Sequence, residues 1–168
     1  MVIDLSKNNS LLNHWVAELR DVHVQNDRMR FRRNIERIGE VAAYELSKTL
    51  QFKPVEVTTP LGIAPTQLLK EQPVLATILR AGLPLHQGML NYFDQADNAF
   101  ISAYRKHHPD GSFEISLEYL SCPDLNGRVL ILCDPMLATG ASLVETIQAI
   151  QKTYTPAQIH IVVTIASQ

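Results

Sequence analysis

At 168 residues the chain is long enough to bury one core of ordinary size and short for two, so a single domain is expected. Its 46% hydrophobic and 19% charged residues are those of a globular protein, and no apolar run approaches the roughly 20 residues of a membrane-spanning helix. Fifteen Lys and Arg against 17 Asp and Glu leave a formal charge of −2, which argues against nucleic acid or an acidic membrane as partner and requires a local positive site for any anionic ligand.

Residues 1–7 lack a basic flank feeding an apolar segment, so neither a secretory signal nor a transit peptide is read there, and a cytoplasmic location is the expectation. Leu11, Leu12, Trp15, Val16 and Leu19 then recur at helical spacing behind Ser10, a good cap. A longer amphipathic helix follows, with Phe31, Ile35, Ile38, Ala42 and Leu46 as its stripe. Its flanking Arg30, Arg32, Arg33 and Arg37 read as solvated surface rather than as a phosphate site.

Beyond Pro54 the alternation of Val55-Glu56-Val57 and the turn at Pro60-Leu61-Gly62 predict a small antiparallel element. Residues 74–79 form a nearly continuous apolar run of strand length, the kind covered on both faces of a parallel sheet, and it stops at Arg80-Ala81-Gly82. A helix over 83–92 and a strand over 99–104 complete one strand–helix–strand unit. The turn cluster around Pro109-Asp110-Gly111 and the alternation of Phe113, Ile115 and Leu117 predict a protruding hairpin or flap over 105–120.

A second buried-type strand over 128–133 ends in Asp134-Pro135-Met136-Leu137-Ala138-Thr139-Gly140-Ala141-Ser142, followed by a helix to about 152 and a last strand over 159–165. Apolar strands alternating with helices imply an α/β fold: an open, mainly parallel twisted sheet flanked by helices, with its ligand site at the carboxyl ends of the strands. Cys122 and Cys133 are too few for a zinc site or a disulfide scaffold and are expected to be reduced. Among six histidines only His107-His108 is a close pair, and no His-Glu-x-x-His helix suggests a metal site.

Where residues 139–142 hand a strand over to a helix, free backbone N–H groups and the positive helix end suit a phosphate monoester, helped by the hydroxyls of Thr139 and Ser142. Asp134 stands beside this cradle, placed to accept from sugar hydroxyls; the ordinary alternatives are a helix cap without a ligand and an Asp that starts a turn. Residues 134–142, read as DPMLATGAS, resemble the phosphoribosyl-diphosphate signature of the uracil phosphoribosyltransferases, within the type I phosphoribosyltransferase superfamily. Cys133-Asp134, a neutral residue before a single Asp, is similar to the uracil branch, whereas the wider group carries two adjacent acids. Leu79-Arg80-Ala81-Gly82-Leu83 resembles the family's diphosphate-contacting loop and Tyr104-Arg105 its second arginine site.

The resemblance implies a single type I phosphoribosyltransferase domain over 1–168, with N-terminal helices over about 10–50, a core over about 53–168 and the flap. It implies transfer of the 5-phosphoribosyl group from phosphoribosyl diphosphate to uracil, giving UMP and diphosphate in pyrimidine salvage. Arg80, Arg105 and Asp134 are then the catalytic groups. Arg80, Ala81, Gly82, Arg105 and residues 134–142 hold the sugar diphosphate, and each guanidinium is expected at a strand end. Mg2+ is expected on phosphoribosyl diphosphate rather than on protein ligands. A homodimer or larger homo-oligomer is implied as well.

The chain departs from the family in reading Gly140-Ala141 where two glycines follow the threonine, and Lys106-His107-His108 where acidic residues are usual. It also stops at Gln168, before the family's base-recognising segment, and a shortened sequence is expected on that ground. A non-catalytic regulator that binds phosphoribosyl diphosphate, or a transferase for another base, are the alternatives.

Overall fold

The computed structural model describes the backbone of residues 1–107 and 113–167, and among these the side chains outside 103–118. Helix α1, Leu11–Arg20, starts where Ser10 Oγ accepts the Leu12 N–H at 3.3 Å. Leu12 and Leu19 are buried as expected, but Leu11 is not part of the stripe and is 68% exposed, one position round the helix from its neighbour. Asp27 caps α2, Arg28–Ser47, accepting from the N–H groups of Met29 and Arg30 at 3.1 and 3.0 Å. Helix α2 buries Asn34, Ile35, Ile38, Gly39, Ala42 and Ala43, while Phe31 stays partly exposed. Arg30 pairs with Glu18 at 3.0 Å and Arg33 with Glu36 at 2.7 Å, so these two belong to the solvated face.

The antiparallel element is a full hairpin, β1 (Phe52–Thr59) on β2 (Gly62–Leu69), separate from the main sheet. In that sheet β3 (Val74–Leu79) is central. It lies parallel to β4 (Asp97–His107) and to β6 (Val129–Cys133), and β6 is parallel to β8 (Gln158–Val162). The strand β5 (Phe113–Ser121) closes one edge antiparallel to β4, giving the order β5-β4-β3-β6-β8. The α/β class and the mainly parallel sheet are as expected.

Both faces of the sheet are covered, which explains the nearly continuous apolar runs. Leu75, Ile131 and Cys133 point to a core shared with α1, α2 and α3 (Leu83–Leu90), whereas Ala76, Leu130 and Leu132 point to one shared with α4 (Ala141–Thr153). Helices α2 and α3 meet backbone to backbone: a Cβ on Gly39 would lie 2.5 Å from the Leu85 carbonyl oxygen, and one on Gly88 2.0 Å from that of Glu36. This contact seats the start of α3 directly behind the end of β3. Among the described residues no helix is long and apolar enough to cross a membrane.

The single strand read over 159–165 is two. Strand β8 ends at Val162, and β9 (Ile165–Ala166) pairs in parallel with β7 (Met136–Leu137) in a separate small sheet. At the break the regular ladder ends with the Asp134 N–H on the Val162 carbonyl at 3.1 Å, and the next two donors, the N–H groups of Thr164 and Ile165, both turn to the Pro135 carbonyl, at 3.2 and 3.1 Å.

Candidate active site

The carboxyl ends of β3 and β6 stand side by side because the two strands pair in register, Val74 with Leu130 through Thr77 with Cys133. After β3 the chain turns through Arg80, Ala81 and Gly82 into α3, and the Leu79–Arg80 peptide bond is cis. The Gly82 N–H returns to the Ile78 carbonyl at 3.1 Å, and the Gly82 carbonyl accepts from the His86 N–H at 2.9 Å. The turn is therefore tied to both the strand and the helix, with the Arg80 side chain exposed on it. Among the described residues no carboxylate pairs with Arg80.

After β6, Cys133 is fully buried, and burial, reinforced by the neighbouring Asp134 charge, pushes its thiol up to about 12. It is a core residue and not a nucleophile. Asp134 is half-buried; burial raises its carboxyl above the ordinary carboxylate value, against the opposing pull of the Met136 N–H. The segment that follows is clamped on residues 162–167. The Asp134 N–H donates to the Val162 carbonyl at 3.1 Å, the Ser167 N–H to the Leu137 carbonyl at 2.8 Å and the Ser167 hydroxyl to the Ala138 carbonyl at 2.8 Å.

Gly140 then takes φ of 77°, a left-handed conformation open to glycine and strained for a side chain bearing Cβ. Helix α4 begins immediately after it. Its first intrahelical bond runs from the Val144 N–H to the Gly140 carbonyl at 2.9 Å, so the N–H groups of Ala141, Ser142 and Leu143 precede the ladder. Thr139 Oγ1 accepts from the Ala141 N–H at 3.4 Å. Ala141 is thus the first helical residue, where a methyl group is favourable; the positive φ falls on its neighbour, so the departure from two glycines leaves the turn intact.

A pocket of about 580 Å³ opens where these ends face the N-terminal helices, with Arg80, Ala81, Pro135 and Met136 on one wall and Phe31 and Ile35 of α2 on the other. Its lining is largely apolar, and residues 137–142 lie outside it on more open surface, so the arrangement offers an apolar recess next to an exposed, N–H-rich turn.

The structure brings Arg80, Ala81 and Gly82 to one strand end and residues 134–142 to the next. Arg105 is not at a strand end: β4 runs two residues further, and the Arg105 backbone faces Ile115 within the β4–β5 pair. Extended pairing holds because the alternation of residues 113–117 continues the ladder into the hairpin. The side chains of Arg105 and Lys106, and the turn cluster at 108–112, lie outside the described residues. Two features had no clear sequence signal. One is the clamp by 164–167, hidden in a run of β-branched residues that reads as one strand. The other is the cis bond before Arg80, since no proline follows Leu79.

A sequence model described as uracil phosphoribosyltransferase matches residues 6–168. A uracil phosphoribosyltransferase of Porphyromonas gingivalis is 54% identical over 167 residues, covering 99% of this chain and 77% of that protein. One from Methanothermobacter thermautotrophicus is 38% identical over 130 residues, 76% of this chain and 60% of its own length. Among solved structures, the AQ2163 protein from Aquifex aeolicus superposes with a TM-score of 0.84 at 28% identity, covering 99% of this chain and 76% of that one. A hypoxanthine phosphoribosyltransferase from Staphylococcus aureus, at 16% identity and a TM-score of 0.56 over 77% of this chain and 61% of its own, shares the fold.

Proposed function

Because the chain belongs to the uracil phosphoribosyltransferase family, we propose that it transfers the 5-phosphoribosyl group of phosphoribosyl diphosphate to uracil, releasing UMP and diphosphate. One observation carries the assignment of the site: the turn holding Arg80 and the loop 134–142 stand on adjacent, paired strand ends. The substrate presents two anionic ends with a ribose between them. The N–H groups opening α4 and the hydroxyls of Thr139 and Ser142 suit the terminal 5-phosphate, and the Asp134 carboxylate suits the ribose hydroxyls. Residues 135–138, held by the 162–167 clamp, keep these groups in place before the substrate arrives.

In the reaction, N1 of uracil bonds to C1 of the ribose as the bond from C1 to the diphosphate oxygen breaks, with oxocarbenium character at the sugar, and the N1 proton is given up to water or to the departing diphosphate. The electron pair of the breaking bond leaves on the diphosphate. Arg80 bears a permanent charge and a forked donor set for that group, and Arg105, from the hairpin, is assigned the same task. No side-chain nucleophile is needed, in keeping with the buried neutral Cys133. Orientation of the two reactants and exclusion of water supply the remainder.

Magnesium belongs to this reading as an ion carried by the substrate's phosphates, where, when bound, it would supply positive charge against the diphosphate. Among the described residues no three His, Cys, Asp or Glu side chains gather to hold a metal, which fits an ion kept on phosphate and water oxygens. Cytoplasmic location and a homodimer or larger assembly are part of the same proposal; the exposed Phe52, Leu61, Ile63 and Leu68 on the β1–β2 hairpin support self-association.

The test is diphosphate release with and without base. Incubation with phosphoribosyl diphosphate, magnesium and uracil is expected to yield equal amounts of UMP and diphosphate, with little release when uracil is omitted. Tight binding of phosphoribosyl diphosphate without uracil-dependent release would instead mark a sensor, and turnover with a different base would reassign the acceptor.

A further inference from the structure

The bond that breaks in the proposed reaction joins the part of the substrate assigned to the β6 loop to the part assigned to the β3 turn. The spacing between those two segments therefore matters as much as the contacts within each. The β3–β6 pairing ends at Thr77 and Cys133; beyond it β3 continues through Ile78 and Leu79 alongside β4 alone. At this fork the backbone ladder no longer ties one segment to the other.

Thr77 occupies the fork and is fully buried. Its hydroxyl donates to the Cys133 carbonyl, the last of β6 before Asp134, at 3.5 Å. Gly82 packs against the same hydroxyl. A Cβ placed on Gly82 would lie 2.1 Å from Thr77 Oγ1, 2.8 Å from the Ile78 carbonyl oxygen and 3.0 Å from that of Cys133. The Gly82 backbone has φ of −71° and ψ of −15°, which any residue adopts, so space rather than conformation demands glycine there. One buried oxygen thus touches the root of the Asp134 loop and the floor of the Arg80 turn.

Resting on the functional reading above, we propose that Thr77 is a positioning residue: its hydroxyl sets the separation between the turn that takes the diphosphate and the loop that takes the ribose 5-phosphate. It touches neither reactant. Displacements of about 1 Å in such a geometry cost up to about a hundredfold in rate without removing any binding contact.

The test compares Thr77→Val, which puts a larger methyl group in place of the hydroxyl, with Thr77→Ser, which keeps the oxygen. Thr77→Val is expected to lower kcat about tenfold to a hundredfold. Its affinities for ribose 5-phosphate alone and for magnesium diphosphate alone should stay within about twofold of the parent, because each half of the site is intact. Thr77→Ser should restore most of kcat. Equal kcat in the parent and Thr77→Val overturns the proposal, as does a loss in Thr77→Val that appears equally in the binding of the separate halves. If Thr77→Val does not fold, Thr77→Ala carries the test: it removes the hydroxyl without adding bulk, so its kcat should fall while the binding of the separate halves stays within about twofold, and an unchanged kcat overturns the proposal. The parent separates the two readings. A parent that makes no UMP brings down the function and this proposal with it, whereas an active parent matched by Thr77→Val brings down the positioning role alone.

Discussion

Asp134→Asn is expected to lower kcat/KM for phosphoribosyl diphosphate by about 10²- to 10³-fold in a steady-state UMP assay, the range seen when one preorganised polar contact to a transition state is removed. Asn keeps the shape and one acceptor but loses the charge that favours the cationic sugar and the second acceptor for its hydroxyls. The fold is not expected to suffer. Burial raises the Asp134 carboxyl in the folded protein, so its ionisation opposes folding at neutral pH. A group raised in this way gives its full stability at pH below its unfolded value and loses it as pH rises through the folded one. The Asn variant should therefore melt no lower than the parent at pH 7. Its margin should vanish below the ordinary carboxylate range, where the parent's Asp134 is neutral as well. A variant that melts several degrees lower at pH 7 would make Asp134 a structural residue.

Arg80→Ala should cost about 10²-fold or more in kcat/KM, with a weakened response to diphosphate as product inhibitor. The side chain is exposed on a turn whose backbone is held through Gly82, so removing it leaves the turn in place. Arg80→Lys should recover only part of the loss, since an ammonium supplies the charge without the planar pair of donors. If Arg80→Ala turned over at the parent's rate with unchanged diphosphate inhibition, the diphosphate would have to be held elsewhere.

The central strands were legible because β3 and β6 are covered on both faces, and their continuous apolar runs have few other readings. The loop at 134–142 was legible for a different reason: an acid, a glycine and two hydroxyl residues follow a strand end directly and precede a helix, all within nine residues. What escaped depended on partners distant in sequence. Leu11 fits the helical period yet faces solvent, since periodicity gives a face and not what covers it. The 162–167 clamp is a backbone device, and the residues making it look like any β-branched run. Thr77 sits inside the apolar run of β3, where only the fork between strands and the approach of Gly82 give its hydroxyl a task. The length of β4 was underestimated because the change from a parallel to an antiparallel neighbour leaves no mark in its own residues.

A crystal soaked with ribose 5-phosphate tests most directly whether the loop after β6 holds the sugar phosphate. The phosphate oxygens are expected within hydrogen-bond distance of the N–H groups at 140–143, with the ribose hydroxyls on Asp134. Density for the phosphate in the apolar recess beside Phe31, or none at the loop at saturating concentration, would contradict the assignment.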